Sequence, residues 1–442
     1  MTMTERATAP VADHPDAERV RRATLAVTVM FALNGAAFAT FAARLPDVKS
    51  LLDLSPAGLG LFLISGSIGS VIGLPMSGWV AGRLGARIAV RMATLITTAA
   101  YIATGVAVST HHHWTAVGFL MIAGWGIGLW DVVMNLEGAI VERRLGRSIM
   151  PRFHAMFSGG TVLAALVGAA VTAAHVPVWL HVGVVMCVLA TVGMWAARNF
   201  ESVPRLDGKR SDDKATDDKA TDSAAQQKVS SLSAWLDPRV LLIGVVTLVA
   251  AFTEGTANDW LSLAFVEGHH VPKWAGVLAF AIFLSCMTAG RLVGTKLLDT
   301  YGRVLVLRVC FSLAVVGCLV VVFGPTALAY LGIMVWGVGV SLGFPVGMSA
   351  AADDPAHANA RISVISTIAY TAFLAGPPFL GLLGEHVGVL HALLAVGAAA
   401  TIALALVPAV REPETPAPAP EDRSPACATS DPAVLPPGSF RD

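Results

Sequence analysis

The chain has 442 residues, of which 55% are hydrophobic and only 14% are charged, with a formal net charge of zero. Soluble proteins carry about 25% charged residues, so this composition excludes an ordinary soluble domain and indicates a polytopic membrane protein. The zero net charge favours no nucleic-acid partner. The five scattered cysteines, without a Cys-x-x-Cys pair, indicate neither a disulfide framework nor a zinc site.

Twelve apolar runs of about 18–25 residues, each long enough for a helix to cross a bilayer, follow one another along the chain. We number them spans one to twelve; they cover 24–43, 57–81, 88–108, 114–140, 153–174 and 178–197, then 240–260, 274–298, 304–323, 327–350, 362–383 and 389–410. The first run is too long for a signal peptide and is interpreted as an uncleaved span. The predicted fold class is an all-α membrane protein with twelve transmembrane helices in two bundles of six.

Polar segments divide the chain into five predicted parts. The segment between the two groups of spans repeats Asp-Asp-Lys-Ala-Thr at 212–216 and 217–221, and such a tract cannot bury a core. The end of the chain is rich in Pro and Ala and is equally unsuited to fold. The parts are a cytoplasmic N-terminal tail (1–23), a first bundle (24–197), a flexible cytoplasmic linker (198–238), a second bundle (239–410) and a disordered cytoplasmic tail (411–442).

Lysine and arginine are distributed unevenly between the two sides of the membrane. Of the 30 such residues, only Arg44, Lys49 and Lys273 fall on the side opposite the N-terminus. Because positively charged loops stay in the cytoplasm, both termini and the linker are predicted to be cytoplasmic. We expect a monomeric, multi-pass protein of the bacterial inner membrane.

The two halves of the chain contain similar motifs. Trp125-Gly126-Ile127-Gly128 in span four matches Trp336-Gly337-Val338-Gly339 in span ten, and the loop at 78–87 matches the loop at 298–303. Paired six-helix halves related by an axis along the membrane normal are a transporter arrangement, with the substrate site between them near mid-membrane. The repeat therefore predicts a transporter.

Span four carries an acid, Asp131, inside its apolar run. At 1.5 Å per residue it lies roughly 18 Å from Arg143, near the middle of a hydrocarbon core about 30 Å thick. A carboxylate there costs on the order of 2.5–3.5 kcal/mol. Asp131 therefore either pairs with an arginine of a neighbouring span or faces a cavity and carries protons. Asn135, one helical turn later, is a substrate ligand or a structural partner.

These motifs resemble those of the major facilitator superfamily of transporters, over nearly all of residues 20–410. The superfamily's loop motif, Gly-x-x-x-Asp-Arg-x-Gly-Arg/Lys-Arg/Lys, is kept in part: the first copy has Gly82 in place of the acid, and the second keeps Asp299. The resemblance implies the pseudo-symmetric major facilitator fold. It also implies that the charged residues of this motif hold the cytoplasmic gate.

Within the superfamily the chain is most similar to fucose-permease-like proteins and related uncharacterised bacterial permeases. The similar stretches are 41–46, 131–135 followed by His154, and 254–260. In fucose permease an acid followed four residues later by Asn takes part in proton-coupled sugar uptake, which implies that role for Asp131. Fucose permease also uses an acid in span one, where this chain has only Asn34 and Arg44.

The polar and aromatic residues of the spans form three candidate sets. The proton-coupling set is Asp131 and Glu254; the substrate-binding set is Asn34, Trp130, Asn135, Asp259 and Trp260; the gating set is Arg44, Arg83, Arg87, Glu137, His154, Arg291, Asp299 and Arg303.

Several of these candidates have alternatives. Glu254 lies too deep to mark the membrane surface, whereas Asp259 and Trp260 could do so, since Trp is common there. Three roles are open for Arg44: it pairs with Asp259, it holds an anionic substrate, or its side chain extends to the membrane–water interface. Arg291 is expected to pair with loop acids or backbone carbonyls near the cytoplasmic face.

No metal or cofactor site is predicted. His111 to His113 and the pair His269-His270 fall in short external loops, without a partner acid at ligand spacing. The one Ser-x-x-Lys spacing, from Ser211 to Lys214, falls in the polar linker, and the sequence contains no His-Glu-x-x-His motif, so we predict that the protein is not an enzyme.

The predicted function is secondary active transport of a small polar solute, sugar-like by resemblance, with protons coupled through Asp131. The expected partners are that solute, protons and the lipid bilayer. One alternative is a proton-driven exporter of amphipathic compounds. The other is a membrane sensor, which binds a ligand without moving it.

Overall fold

The computed structural model describes residues 15–146, 149–200, 234–354 and 357–412, which contain helices and turns but no β-strand. The helices belong to one compact unit that ends at Arg411. Span one begins earlier than predicted, at Pro15, because an exposed helical turn carrying Glu18 paired with Arg21 and Arg22 precedes the apolar run. The predictions for the linker at 201–233 and the tail at 413–442 lie outside the described residues.

The helices follow the predicted order of spans. Spans one to six are Pro15–Ala42, Pro56–Leu84, Ala86–Ser109, His113–Leu145, Met150–Ala173 and Val178–Ala196; span seven is Pro238–Gly268; spans eight and nine are Lys273–Phe323; span ten is Thr326–Val340 with Gly343–Ala351; span eleven is Ala358–Val387; span twelve is Val389–Ala392 with Leu394–Leu406. A short helix, Leu45–Leu51, follows span one.

Eleven helices in the described part of the chain are long and apolar enough to cross a membrane, and one of them contains two predicted spans. This 51-residue helix, Lys273–Phe323, is interrupted at Gly302, where φ is 74° and ψ is 163°. At 1.5 Å per residue it would be about 76 Å long, enough for two crossings. The all-α fold with twelve spans is therefore confirmed.

The break at Gly302 has a counterpart in the first half of the chain. Gly85 separates spans two and three with φ 80° and ψ 152°, and it occupies the same position of the repeated loop motif. This region of φ/ψ space is accessible to glycine and not to residues with a β-carbon. The repeat in the sequence is therefore also a repeat in backbone conformation.

The Trp-Gly motifs of spans four and ten are less equivalent than their sequences indicate. Trp336 is fully buried, whereas Trp125 is partly exposed and donates from its indole nitrogen to Met76 Sδ at 3.4 Å. Gly126 packs closely on span three, and Gly337 packs on span eight, which corresponds to span two. The motif thus repeats the small residues needed for close helix packing, but not the contacts they make.

The two bundles meet through two pairs of helices. Span two packs against span eleven, and span five packs against span eight. We call the end with the loops after odd-numbered spans the outer pole, and the end with both chain termini the inner pole. At the outer pole Gly60 is so close to Pro377 that a β-carbon would clash with its carbonyl. The bundles are therefore in tight contact there.

Charged residues join the bundles at the outer pole. Lys49 Nζ lies 2.6 Å from Glu267 Oε1, and Lys273 Nζ lies 3.0 Å from Asp47 Oδ1. Lys273 also donates to Ser50 Oγ at 2.6 Å. Two of the three cations that depart from the positive-inside pattern thus hold the outer pole closed.

At the inner pole, charged side chains have partners within their own bundle. Arg303 pairs with Asp353 at 2.7 Å, and Arg239 approaches the same carboxylate at 3.3 Å. Arg87 donates to the carbonyl of Phe200 at 2.8 Å. The motif arginines of both halves therefore stabilise the ends of their own bundles in this conformation.

Candidate functional site

A cavity of about 230 Å³ lies between the two bundles. Its walls come from spans one, two, three and four on one side and from spans seven and eleven on the other. Gly60 against Pro377, and the hydrogen bond from Ser67 Oγ to the carbonyl of Phe373 at 3.0 Å, close the space between spans two and eleven. The cavity thus sits where the repeat predicts a transport site, with packed helices toward the outer pole.

The cavity lining is mainly apolar and aromatic. Five aromatic residues line it: Phe38, Phe41, Tyr101, Tyr370 and Phe373. The rings of Phe41 and Tyr101 are stacked with centroids 5.3 Å apart, and those of Tyr370 and Phe373 lie 6.3 Å apart. One aromatic pair therefore belongs to each bundle.

Asp259 is the charged residue of this lining. It lies on span seven, and among the described residues no lysine, arginine or histidine is within ion-pair distance of its carboxylate. Its neighbour Trp260 is fully buried. Asp259 is therefore an interior carboxylate at a cavity rather than a marker of the membrane surface.

Asp131 lies one helical turn beyond Ile127, a residue of the cavity wall, toward the inner pole. The Nδ2 of Asn135 donates to the backbone carbonyl of Asp131 at 2.8 Å and approaches its Oδ1 at 3.4 Å. Within the described residues no arginine pairs with Asp131, so the arginine-paired alternative is not what the structure contains.

Glu254 has a different environment from the two aspartates. Its Oε2 lies 2.8 Å from Arg291 Nη2, and neither side chain is more than about a quarter exposed. Arg291 also approaches the carbonyl of Ser341 with its Nε at 3.3 Å. Of the two partners expected for Arg291, a backbone carbonyl is found at Ser341, whereas its acid is Glu254 on span seven and not a loop acid. Glu254 does not line the cavity.

Arg44 is buried near the outer pole and is directed away from the cavity. It pairs with Asp47 at 3.0 Å, donates to Thr172 Oγ1 at 2.9 Å and to the carbonyl of Val176 at 2.7 Å. The predicted alternative that Arg44 pairs with Asp259 is therefore wrong. Its contacts join the end of span one to the end of span five.

Three predicted substrate ligands are inside the packing instead of at the cavity. Trp130 and Trp260 are at most 1% exposed, and Asn34 is 2% exposed. The indole nitrogens of both tryptophans and Nδ2 of Asn34 have no hydrogen-bond partner among the described residues. In this conformation these side chains support the helices that carry the two aspartates and do not reach the cavity.

The remaining gating candidates are spread over the inner half of the protein. Arg83 lies over the ring of Trp79 at 4.9 Å, and Asp299 is exposed. Glu137 is fully buried. His154 packs edge-on against Phe31, with ring centroids 5.1 Å apart.

Sequence reasoning missed two groups of residues. The cavity aromatics were not proposed, although Phe41 begins one of the stretches that resemble fucose permease. The outer ion pairs were not proposed either, although Lys49 and Lys273 stood out by their side of the membrane. An acid and a base far apart in sequence carry no local pattern that identifies them as partners.

Comparison with known proteins identifies the family. The Major Facilitator Superfamily model matches residues 27–370 and 278–437. The chain is 28% identical over 393 residues to an uncharacterised transporter of Sinorhizobium fredii, covering 87% of this chain and 97% of the relative. It is 27% identical to an uncharacterised MFS-type transporter of Yersinia pestis, with 80% and 87% covered. The membrane protein MosC of Rhizobium meliloti is 24% identical, with 85% and 87% covered.

Solved structures share the fold at low identity. The nucleoside transporter NupG superposes with a TM-score of 0.69 at 13% identity, covering 89% of this chain and 98% of its own. A D-xylose–proton symporter gives 0.66 at 14% identity, with 88% and 97% covered. The Escherichia coli fucose–proton symporter FucP gives 0.59 at 14%, with 88% and 98% covered. With twelve spans in two repeated halves, the chain is a member of the major facilitator superfamily, a membrane transporter and not an enzyme.

Proposed function

We propose that this protein moves a small solute by alternating access and couples that movement to protons through Asp131. The observation that carries the proposal is a pair of acids, one from each bundle, without an ion-pair partner among the described residues. Asp259 lines the interior cavity, and Asp131 lies one helical turn beyond the wall residue Ile127. On this proposal the structure corresponds to a state in which the outer pole is closed. The protein lies in the bacterial inner membrane as a monomer, with both termini cytoplasmic.

The physical basis of coupling is the cost of a charge in a low-dielectric interior. An unpaired carboxylate at mid-membrane costs on the order of 3 kcal/mol, and binding a proton removes that charge. The protein can therefore pass through the occluded state more readily when Asp131 is protonated than when it is ionised. Each proton moving down 100 mV supplies about 2.3 kcal/mol, enough to bias solute distribution roughly fiftyfold.

The coupling is tested by replacing Asp131 with Asn in protein reconstituted into liposomes. The variant is expected to keep solute exchange at equal concentrations but to lose accumulation driven by a pH gradient, because Asn cannot take up a proton. Asp53→Asn, in an exposed loop, is the matched control. Accumulation that persists in Asp131→Asn would show that the coupling site is elsewhere.

The direction of transport has two candidates. The resemblance to fucose-permease-like proteins, and the sugar and nucleoside transporters that share the fold, support uptake of a sugar-like solute. The apolar, aromatic lining of the cavity supports an exporter of amphipathic compounds instead. A resistance panel of chemically diverse compounds in deletion and overexpression strains separates them. The sensor alternative predicts binding without flux in liposomes.

A further inference from the structure

The cavity has the composition of a site for a positively charged group. Phe41 and Tyr101 form one aromatic wall, Tyr370 and Phe373 form the other, and Phe38 lies beside them. Aromatic ring faces carry partial negative charge and attract ammonium groups, most strongly where water is excluded. Two facing aromatic walls are therefore suited to a small organic cation.

The charges near the cavity favour a cation as well. Asp259 is in the lining, and the described lining residues include no lysine, arginine or histidine. Three basic residues of the two bundles have acidic partners elsewhere: Arg44 and Lys273 pair with Asp47, and Arg291 pairs with Glu254. In these pairs the positive charges are offset by carboxylates. The carboxylate of Asp259 has no such ion-pair partner among the described residues.

The alternatives fit this arrangement less well. An anionic solute would bring a second negative charge beside Asp259 without a described cation to offset it. A neutral sugar could donate hydrogen bonds to Asp259, but it would leave the carboxylate's charge uncompensated in an apolar surrounding. A cation satisfies both the carboxylate and the rings.

We propose that the transported solute carries a positively charged nitrogen, as a protonated amine or a quaternary ammonium group, which binds Asp259 between the aromatic walls of the two bundles. This inference rests on the proposed transport function and narrows its substrate class. The cavity, about 230 Å³, is smaller than the roughly 300–1,000 Å³ of sites for drug-sized ligands. It therefore fits a small cation.

The test compares cations with neutral molecules of the same shape, using the purified full-length protein. The probes are choline against its analogue with carbon in place of the quaternary nitrogen, and benzylamine against benzyl alcohol. Binding is measured by thermal shift and by equilibrium titration. At least one cation is expected to bind about tenfold more tightly than its neutral partner.

Two substitutions locate the binding group. Asp259→Asn is expected to weaken cation binding about tenfold, while the control Asp53→Asn leaves it unchanged. Tyr370, which is 40% exposed, gives a second readout that does not depend on Asp259. Tyr370→Phe keeps the ring and should retain binding, whereas Tyr370→Leu should weaken it several-fold.

The outcomes separate this inference from the proposed function. It is overturned if neither cation binds more tightly than its neutral partner, or if cation binding is insensitive to both Asp259→Asn and Tyr370→Leu. If neutral solutes are transported in an Asp131-dependent manner while cations are not, the transport proposal stands and the cation inference fails. If cations bind but no flux occurs in liposomes, the cation-site inference is supported and the transport proposal is contradicted.

Discussion

At the scale of single residues, the three interior acids of the candidate site differ in their partners. Glu254 lies 2.8 Å from Arg291, whereas Asp131 has Asn135 beside it and Asp259 faces the cavity. The ion pair joins span seven to span eight, so Glu254 is suited to hold these two spans together. Neither aspartate has an ion-pair partner among the described residues, which is why we propose them as the groups that exchange a proton or a ligand.

The Glu254–Arg291 pair predicts a stability effect that the aspartates should not show. Because removing one partner leaves a partly buried charge unbalanced, Glu254→Gln or Arg291→Gln alone should each cost on the order of 2 kcal/mol. The double variant, which removes both charges, should recover part of that loss. Thermal unfolding in detergent measures all three. Additive losses in the double variant would contradict a direct pairing.

At the scale of helices, glycines determine how closely the spans approach one another. A β-carbon on Gly124 of span four would clash with the carbonyl oxygen of Gly66 on span two, and a β-carbon on Gly69 would clash with the carbonyl of Met121. Close backbone approach of this kind allows van der Waals packing to stabilise helices in lipid. Spans two and four thereby hold Asp131 at a fixed distance from the cavity wall.

Two glycines of span four provide a matched pair of substitutions. Gly124→Ala should lower the melting temperature and reduce transport, because the two backbones must move apart. Gly118 has open space around its α-carbon, so Gly118→Ala should be neutral or slightly stabilising through its higher helix propensity. Equal melting temperatures for the two variants would show that spans two and four are not in close contact.

At the scale of the whole molecule, the outer ion pairs should control access to the cavity. Lys49 and Glu267 join the two bundles at 2.6 Å, and this contact has to break before the outer pole can open. Partly exposed pairs contribute up to about 1 kcal/mol, which corresponds to a shift of several-fold in the balance of conformations. The pair is thus strong enough to bias alternating access without blocking it.

A charge swap tests this gate. The reporter is a single cysteine introduced at Ser67 in a background without other cysteines. Lys49→Glu or Glu267→Lys alone places like charges together. Each of these variants should increase labelling of the reporter cysteine from the outside. The combined swap restores an opposite-charge pair and should return labelling toward the original level. The extent of labelling is measured with a membrane-impermeant thiol reagent on intact cells. Labelling in the swap as high as in the single variants would exclude this pair as a gate.

The limits of sequence reasoning appear at particular residues. Asp131 and Asn135 were identified correctly as a local pair, because four residues along a helix bring two side chains together. The sequence separates Glu254 from Asp259 by depth along span seven, but it does not show which of them is ion-paired, since the partner of Glu254 is Arg291 on another span. Trp130 was proposed as a ligand on residue type alone and is fully buried.

The sequence by itself determined the membrane class, the twelve spans and the repeat of two halves. Hydrophobic length and charge distribution are local properties of the sequence. Few backbone structures can span a bilayer, because every backbone polar group has to be hydrogen-bonded within the protein. Only the tertiary structure decided which acids are paired, which aromatic rings line the cavity, and which pole is closed. Those features depend on the rotation and separation of helices, which arise from contacts between residues far apart in the chain.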